Sequence, residues 1–139
     1  MATDTGKSAL GLDGNLAAAL GYPIGILAII CLIIEKENRF VKFHALQSLL
    51  LHVAMFVLAI AAMIIFMILG IVLGVAAAAS NSAAGGGIAG IFGLLSTLIW
   101  LVIVVGYVAA LIYGAVKAYQ GNMLKLPIIG SMAQKWTGG

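Results

Sequence analysis

The polar side chains with the most regular spacing are His44, Ser48 and His52, which recur every four residues with Gln47 beside them. On an α-helix this spacing places all three on one face. Two imidazoles on one face could ligate a metal ion or a pigment magnesium, or relay a proton, because ionisable groups in apolar sequence are costly and favour a functional role. Alternatively, neutral histidine and glutamine side chains hydrogen-bond to neighbouring helices and fix the bundle.

The number of histidines favours the packing role. A tight divalent-metal site needs three or four converging ligands, and the sequence contains 2 His. We therefore predict no metal site and no resident cofactor. His44 and His52 are retained as ligands only if the chain belongs to a complex that carries a pigment such as (bacterio)chlorophyll.

The residue patterns of common enzymes are missing from the sequence. No carboxylate lies within an apolar run, and no nucleophile–base motif, phosphate-binding loop or His-Glu metalloprotease motif occurs. The acids are confined to the edges of apolar runs: Asp4, Asp13, Glu35 and Glu37. The sequence therefore predicts neither catalysis nor a small-molecule substrate.

The composition is that of a membrane protein. Of 139 residues, 64% are hydrophobic and 8% are charged, with a mean hydropathy of +1.23, whereas roughly a quarter of a soluble domain is charged. Only helices or closed barrels satisfy every backbone group in lipid, and strand-like alternation is absent. We predict a single all-α transmembrane domain. Its formal charge of +3 comes from cations that flank apolar runs, which indicates topology and lipid contact rather than nucleic acid.

Three apolar runs are long enough to cross a bilayer, which takes about 20 residues. These predicted transmembrane helices cover residues 16–34, 49–79 and 88–116. Asn15 and Asn38 are expected to cap the first and second helices. The second is predicted to begin with an amphipathic part at the membrane interface, and the polar tail 117–139 to lie at the interface with a short helix over 131–136.

Two further local features concern turns and packing. The small, uncharged stretch 80–87 predicts the turn between the second and third helices. Pairs of glycines four residues apart permit close helix packing, and these predicted packing positions are Gly21, Gly25, Gly70 and Gly74.

Basic residues alternate along the chain in a way that predicts orientation. Lys7 precedes the first apolar run, three cations lie between the first and second, none lies between the second and third, and three follow the third. By the positive-inside rule, the 35–48 loop and the tail are expected in the cytoplasm of a bacterium, with the N-terminus and the 80–87 turn outside its inner membrane.

Several charged and aromatic residues around this loop could contact a partner protein or anionic lipid headgroups. They are Lys36, Arg39, Phe40, Lys42, Phe43 and Gln47, with Lys125 in the tail. Alternatively, the loop is solvated and only sets the orientation of the chain.

Two stretches carry a family resemblance: residues 35–48, read as EKENRFVKFHALQS, and Tyr119-Gln120-Gly121 followed by KLPIIG at 125–130. Together they resemble the small prokaryotic membrane proteins grouped with the Tic-twenty-like component of the chloroplast inner-envelope import machinery. That resemblance implies a role beside a protein-import channel for plastid members and an uncharacterised role for prokaryotic ones.

The functional expectation from the sequence is a non-enzymatic accessory or scaffold subunit. Gly- and Ala-rich helix faces suit contact with larger integral membrane subunits and with bound lipid. The alternative is a homo-oligomeric channel or translocation component, for which the apolar runs offer little polar lining beyond the His44 face.

Overall fold

The computed structural model describes residues 5–80 and 83–138, and these residues contain five α-helices and no β-strand. The helices are α1 Gly14–Leu20, α2 Gly25–Ile34, α3 Arg39–Ser80, α4 Ala83–Tyr119 and α5 Ile129–Trp136. The all-helical prediction is thus confirmed. The residues up to Ala54 pack with those from Val108 onward as one unit, and Met55–Tyr107 forms a second unit.

The first apolar run forms two short helices, which corrects the single helix predicted over 16–34. Helix α1 has 7 residues and α2 has 10, with a break after Leu20. Pro23 lies in this break and has no N–H to satisfy. The carbonyl of Gly21 accepts a hydrogen bond of 2.7 Å from the Ser48 hydroxyl. A carbonyl left without a helical partner at such a break needs another donor, and Ser48 supplies it.

The segment before α1 is hydrogen-bonded to the loop after α2. The buried Glu35 carboxylate accepts backbone N–H groups from Ala9 at 2.7 Å and Asn38 at 3.1 Å. The Asn38 amide in turn donates to the Thr5 carbonyl at 2.8 Å. Groups this close cannot lie on opposite faces of a hydrocarbon layer about 30 Å thick. The two segments therefore lie together, and their placement on opposite sides of a membrane stays a prediction that these hydrogen bonds do not favour.

One of the two predicted helix caps is observed. The Asn38 side chain accepts the Val41 N–H at 3.1 Å, so Asn38 caps α3 as predicted. Asn15 lies inside α1, where Asp13 occupies the N-cap position. The Asn15 amide instead donates to the Tyr119 carbonyl at 3.0 Å, which ties α1 to the end of α4.

The first turns of α3 are the centre of the first unit. The residues from Phe43 to Ser48 are all buried. Ala45 packs with residues of α1 and α2, while Phe43 packs with Ala133 of α5. This segment was predicted to be amphipathic and to lie at the membrane interface. It is enclosed by other parts of the chain, because α1, α2 and α5 cover different sides of it, and its location at the interface stays a prediction.

The second unit consists of the far parts of α3 and α4. Phe66 and Phe92 meet edge to face, with ring centroids 6.3 Å apart. Most large apolar side chains here are exposed, as with Phe56 at 66% and Val102 at 71%. By length and composition, α3 and α4 are each able to cross a membrane.

Most of the stretch predicted as a turn over 80–87 is helical. Helix α3 continues to Ser80 and α4 begins at Ala83, so the glycines of this stretch lie within α4. Asn81 and Ser82 lie outside the described residues. The short helix predicted near the end of the tail is confirmed as α5, which begins at Ile129.

Candidate functional site

Four polar side chains are fully buried where the α1–α2 break meets α3. They are Tyr22, His44, Gln47 and Ser48, each 0% exposed, and we refer to them as the polar cluster. Buried polar groups are costly unless they are hydrogen-bonded. Among the described residues, every buried side-chain nitrogen and oxygen has a partner.

The hydrogen bonds of His44 define its protonation state. Its Nε2 lies 3.1 Å from the Asn122 carbonyl, to which it can only donate. Its Nδ1 lies 3.0 Å from the Tyr22 hydroxyl. That hydroxyl also accepts a 2.7 Å bond from the Gln47 amide, so its own proton is directed to Nδ1. The pattern corresponds to a neutral imidazole with its proton on Nε2.

Gln47 holds the segment between α4 and α5. Its second amide N–H donates to the Leu124 carbonyl at 3.0 Å, and its side-chain oxygen accepts the Leu126 N–H at 3.0 Å. Both ends of the side chain are thus used within the protein. This is the opposite of the partner or lipid contact predicted for Gln47 from the sequence.

Two glycines make room for the polar cluster. A Cβ on Gly114 of α4 would lie 2.4 Å from the Tyr22 ring, and one on Gly130 of α5 would lie 2.7 Å from the Gln47 side-chain oxygen. Only a hydrogen fits at either position. Tyr22, Gly114 and Gly130 were not singled out as site residues, although a lone tyrosine before a proline in an apolar run is a usable signal for a break.

His44, Ser48 and His52 do share one face of α3, as their spacing predicted. His44 meets Tyr22, Ser48 meets the Gly21 carbonyl, and His52 lies beside Gly25, where a Cβ would be 3.5 Å from the ring. His52 also donates from Nδ1 to the Ser48 carbonyl of its own helix at 2.8 Å. Both ring nitrogens of His44 are engaged, so ligation of a metal or pigment there would require a hydrogen bond to break.

The remaining predicted contact residues fall into two groups. Lys36, Arg39 and Lys125 are exposed and Lys42 is half-buried. Phe40 and Phe43 pack against the His44 ring at centroid distances of 4.6 and 5.2 Å, and so support the polar cluster. No set of three or more His, Cys, Asp or Glu side chains converges among the described residues.

The glycines predicted for helix packing differ in their surroundings. A Cβ on Gly21 would lie 3.6 Å from the Ala28 Cβ, and one on Gly70 would lie 3.7 Å from the Phe92 ring. A Cβ on Gly74 would meet nothing within 4 Å in the described part of the chain. A Cβ would therefore make only ordinary van der Waals contact at Gly21 and Gly70, and at Gly74 it would meet open space in the described part of the chain.

Comparison with protein families assigns the chain. The model of the MamF/MmsF family, described as the magnetosome magnetite crystal formation protein family, matches residues 9–133. The chain belongs to this family. The match includes all four residues of the polar cluster, and it overturns the Tic-twenty-like resemblance read from residues 35–48 and 119–130.

Relatives of this MamF/MmsF family member are archaeal membrane proteins. A UPF0132 membrane protein of Methanocaldococcus jannaschii is 34% identical over 133 residues, covering 95% of this chain and 96% of the relative. One from Archaeoglobus fulgidus is 35% identical over 126 residues, covering 90% and 96%. No solved structure matches the chain. The chain is thus a small membrane protein of an uncharacterised family.

Proposed function

We propose that this protein is a non-enzymatic accessory or scaffold subunit that packs on a larger integral membrane complex. The observation that carries the proposal is the second unit, Met55–Tyr107, whose apolar side chains are largely exposed. Buried residues of α3 are confined to the stretch from Val41 to Ser48, and those of α4 to Gly114 and Ala118. The exposed apolar surface of the rest of both helices can therefore contact lipid or another protein.

The length of these helices favours protein contact at their connected ends. The apolar parts, 49–80 of α3 and 83–116 of α4, are each about 50 Å long at 1.5 Å per residue. This exceeds the hydrocarbon thickness of about 30 Å even with moderate tilt. The ends that approach the connection are mostly Ala, Gly and Ser. Such faces suit close contact with another helix better than contact with lipid chains.

The proposed topology has two crossings, by α3 and α4, with the α1–α2 pair entering and leaving on one side. The hydrogen bonds of Asn38 and Glu35 to residues 5–9 support this arrangement. It replaces the three crossings expected from the sequence. All of the 7 Lys and Arg residues then lie on one side, which the positive-inside rule identifies as cytoplasmic. The membrane proposed is the cytoplasmic membrane of a prokaryote.

The family description suggests a second candidate, in which the complex belongs to a membrane compartment that forms magnetite. The match over residues 9–133 favours it. In this version the chain contributes a membrane scaffold and other subunits supply the iron ligands. The first candidate leaves the complex unspecified. The identity of the proteins that co-purify with this chain therefore distinguishes the two candidates.

The experiment is to tag the C-terminus, extract the protein from its native membrane in mild detergent, and measure the mass, protein composition and absorbance of the particle. A large complex of different chains at fixed stoichiometry is the expected result. A closed ring of identical chains would contradict the proposal in favour of a channel. A particle containing this chain alone as a monomer would also contradict it.

A matched pair of variants tests where the partner binds. Gly90 and Gly106 are both exposed positions of α4, and a Cβ at either meets nothing within 4 Å. Gly90→Leu, near the connected end, is expected to reduce co-purification of the complex. Gly106→Leu, in the middle of the proposed crossing, is expected to leave it unchanged. Equal effects of the two variants would contradict partner contact at the connected end.

A further inference from the structure

A cleft in the first unit lies beside the polar cluster and has a volume of about 430 Å³. Its lining comes from the first turn of α3, the segment between α4 and α5, and the end of α5. The lining residues are Arg39, Phe43, Met123, Lys125, Gln134 and Thr137. We refer to it as the basic cleft.

The charge of the basic cleft is positive. Arg39 and Lys125 line it, and no carboxylate is among its described lining residues. The acids closest to Arg39 in the sequence do not line it: Glu35 accepts two backbone N–H groups, and the exposed Glu37 is not among its lining residues. The two cations of the cleft are therefore not neutralised by these carboxylates, and an anion would gain from both.

The donors in the cleft suit an oxyanion. Arg39 donates from one terminal nitrogen to the Gly138 carbonyl, which fixes the guanidinium. A guanidinium has five N–H donors in a planar fork, so donors remain for two oxygens of one phosphate. The Lys125 ammonium and the Gln134 amide add donors from the other walls. Thr137 donates its hydroxyl proton to the Ala133 carbonyl at 2.8 Å and so presents only lone pairs.

The surroundings of the cleft indicate that the anion is carried by a lipid. Met123 is 51% exposed at its rim, and Phe43 lies beneath it. On and beside α5, Ile128 and Trp136 are 79% and 64% exposed. Aromatic and aliphatic side chains next to cations are typical of the headgroup level of a membrane. The acyl chains of a lipid bound here would contact this apolar surface, whereas a free phosphate would not.

We propose that the basic cleft binds the phosphate of an anionic phospholipid headgroup, held by Arg39 and Lys125. The proposal does not rest on the accessory-subunit function, because it concerns a different part of the chain and a different ligand. The sequence predicted contact with anionic lipid for several residues, and the present proposal assigns one site with Arg39 and Lys125 as its donors.

The test measures lipid binding to the full chain in a nonionic detergent by native mass spectrometry. Dioleoylphosphatidylglycerol is titrated beside dioleoylphosphatidylcholine, with wild type and with Lys125→Gln, Arg39→Gln and Lys125→Arg. The exposed Lys36, outside the cleft, supplies the matched control Lys36→Gln. Phosphatidylglycerol is expected to bind more tightly than phosphatidylcholine. Lys125→Gln and Arg39→Gln are each expected to weaken phosphatidylglycerol binding by about tenfold, as for loss of a charged hydrogen bond.

The control variants decide whether the site is specific. Lys36→Gln is expected to change phosphatidylglycerol affinity by less than about twofold, since an exposed charge outside the site contributes little. Lys125→Arg is expected to retain binding, which shows that the fold is intact. Equal weakening by Lys36→Gln and Lys125→Gln would overturn the proposal, because diffuse attraction would then suffice.

A competition arm identifies the source of the phosphate. Inorganic phosphate at millimolar concentration is added to the complex with phosphatidylglycerol. Retention of the lipid supports the lipid headgroup as ligand. If inorganic phosphate displaces the lipid from wild type but not from Lys125→Gln, the lipid assignment is overturned and a soluble phosphate is the occupant.

Discussion

The side-chain amide of Asn38 donates a 2.8 Å hydrogen bond to the backbone carbonyl of Thr5. Between these residues the chain passes through α1, the break at Gly21 and α2, and returns to its starting level. Glu35 strengthens the connection by accepting the Ala9 N–H. The two ends of the first apolar run therefore lie close together, although its length equals that of a transmembrane helix.

The topology can be tested by single cysteines in a Cys31→Ser background. Lys7→Cys and Lys36→Cys are expected to react with a membrane-impermeant maleimide from the same side of sealed vesicles, because their neighbours are hydrogen-bonded to each other. Gly86→Cys, near the connection of α3 and α4, is expected to react from the other side. Reaction of Lys7→Cys and Lys36→Cys from opposite sides would restore the arrangement with three crossings.

Gly114→Ala is expected to destabilise the protein. The new methyl group would lie 2.4 Å from the Tyr22 ring, and overpacking of this kind costs about 1–3 kcal/mol. Gly106→Ala in the same helix is the control, because nothing lies within 4 Å of a Cβ there. It is expected to be neutral or stabilising by up to about 1 kcal/mol, from helix propensity. Circular dichroism during denaturation in detergent measures both. Equal stabilities would show that Tyr22 does not lie on Gly114.

Gln47→Leu is expected to release the segment between α4 and α5. The Leu126 N–H and the Leu124 carbonyl would lose their partner, at a cost of about 1–3 kcal/mol for each buried group. Trypsin should then cleave faster after Lys125 and Lys135. The exposed Gln120 at the end of α4 provides the control variant Gln120→Leu, for which cleavage should stay at the wild-type rate. A tail equally protected in Gln47→Leu would contradict the role given to Gln47.

Exchanges of the two histidines separate packing from ligation. His44 is fully buried with both nitrogens bonded, whereas His52 is half-buried. We therefore expect His44→Gln to lower stability by about 1–3 kcal/mol, and His52→Gln to lower it less. Metal content and visible absorbance of the purified complex should not change in either variant. Loss of bound metal or pigment on either exchange would establish a ligand role.

Ile128→Gly is expected to stabilise the protein. Ile128 has φ 65 and ψ −61, and its flanking residues are joined by a 2.7 Å bond from the Ile129 N–H to the Pro127 carbonyl. This is a γ-turn in a conformation that β-branched residues rarely adopt. Glycine removes the strain, for an expected gain of about 1 kcal/mol in unfolding free energy. Ile129→Gly, one residue later in α5, is the control and should destabilise. A lower stability of Ile128→Gly would refute strain at this turn.

Local sequence predicted the parts of the fold that depend on neighbouring residues. The Asn38 cap, the long helix after it, and the shared face of His44, Ser48 and His52 all follow from spacing within one helix. The helix break at Gly21 did not follow from spacing alone. Its carbonyl is satisfied by Ser48, 27 positions later in the chain, and an apolar run does not show whether such a partner exists.

The same limit explains what was missed in the polar cluster. Tyr22, the Asn122 carbonyl and the 124–126 backbone come together only through tertiary packing, so no spacing rule connects them. Gly114 was one of many glycines in the apolar runs, and only the position of Tyr22 distinguishes it. The external placement predicted for the N-terminal segment assumed that every long apolar run crosses the membrane, and the contact between Thr5 and Asn38 depends on tertiary packing that the count of basic residues does not include.

The hydrogen bonds between Asn38 and residues 5–7 also bear on how the chain is made. If the first apolar run does not cross, the polypeptide that must be carried through the bilayer during synthesis is only the connection between α3 and α4. No charged residue lies between Lys42 and Lys117, the stretch that contains this connection. Transfer of charged groups is the costly part of membrane insertion. The two long helices could therefore enter together as a hairpin, without any charge passing through the lipid.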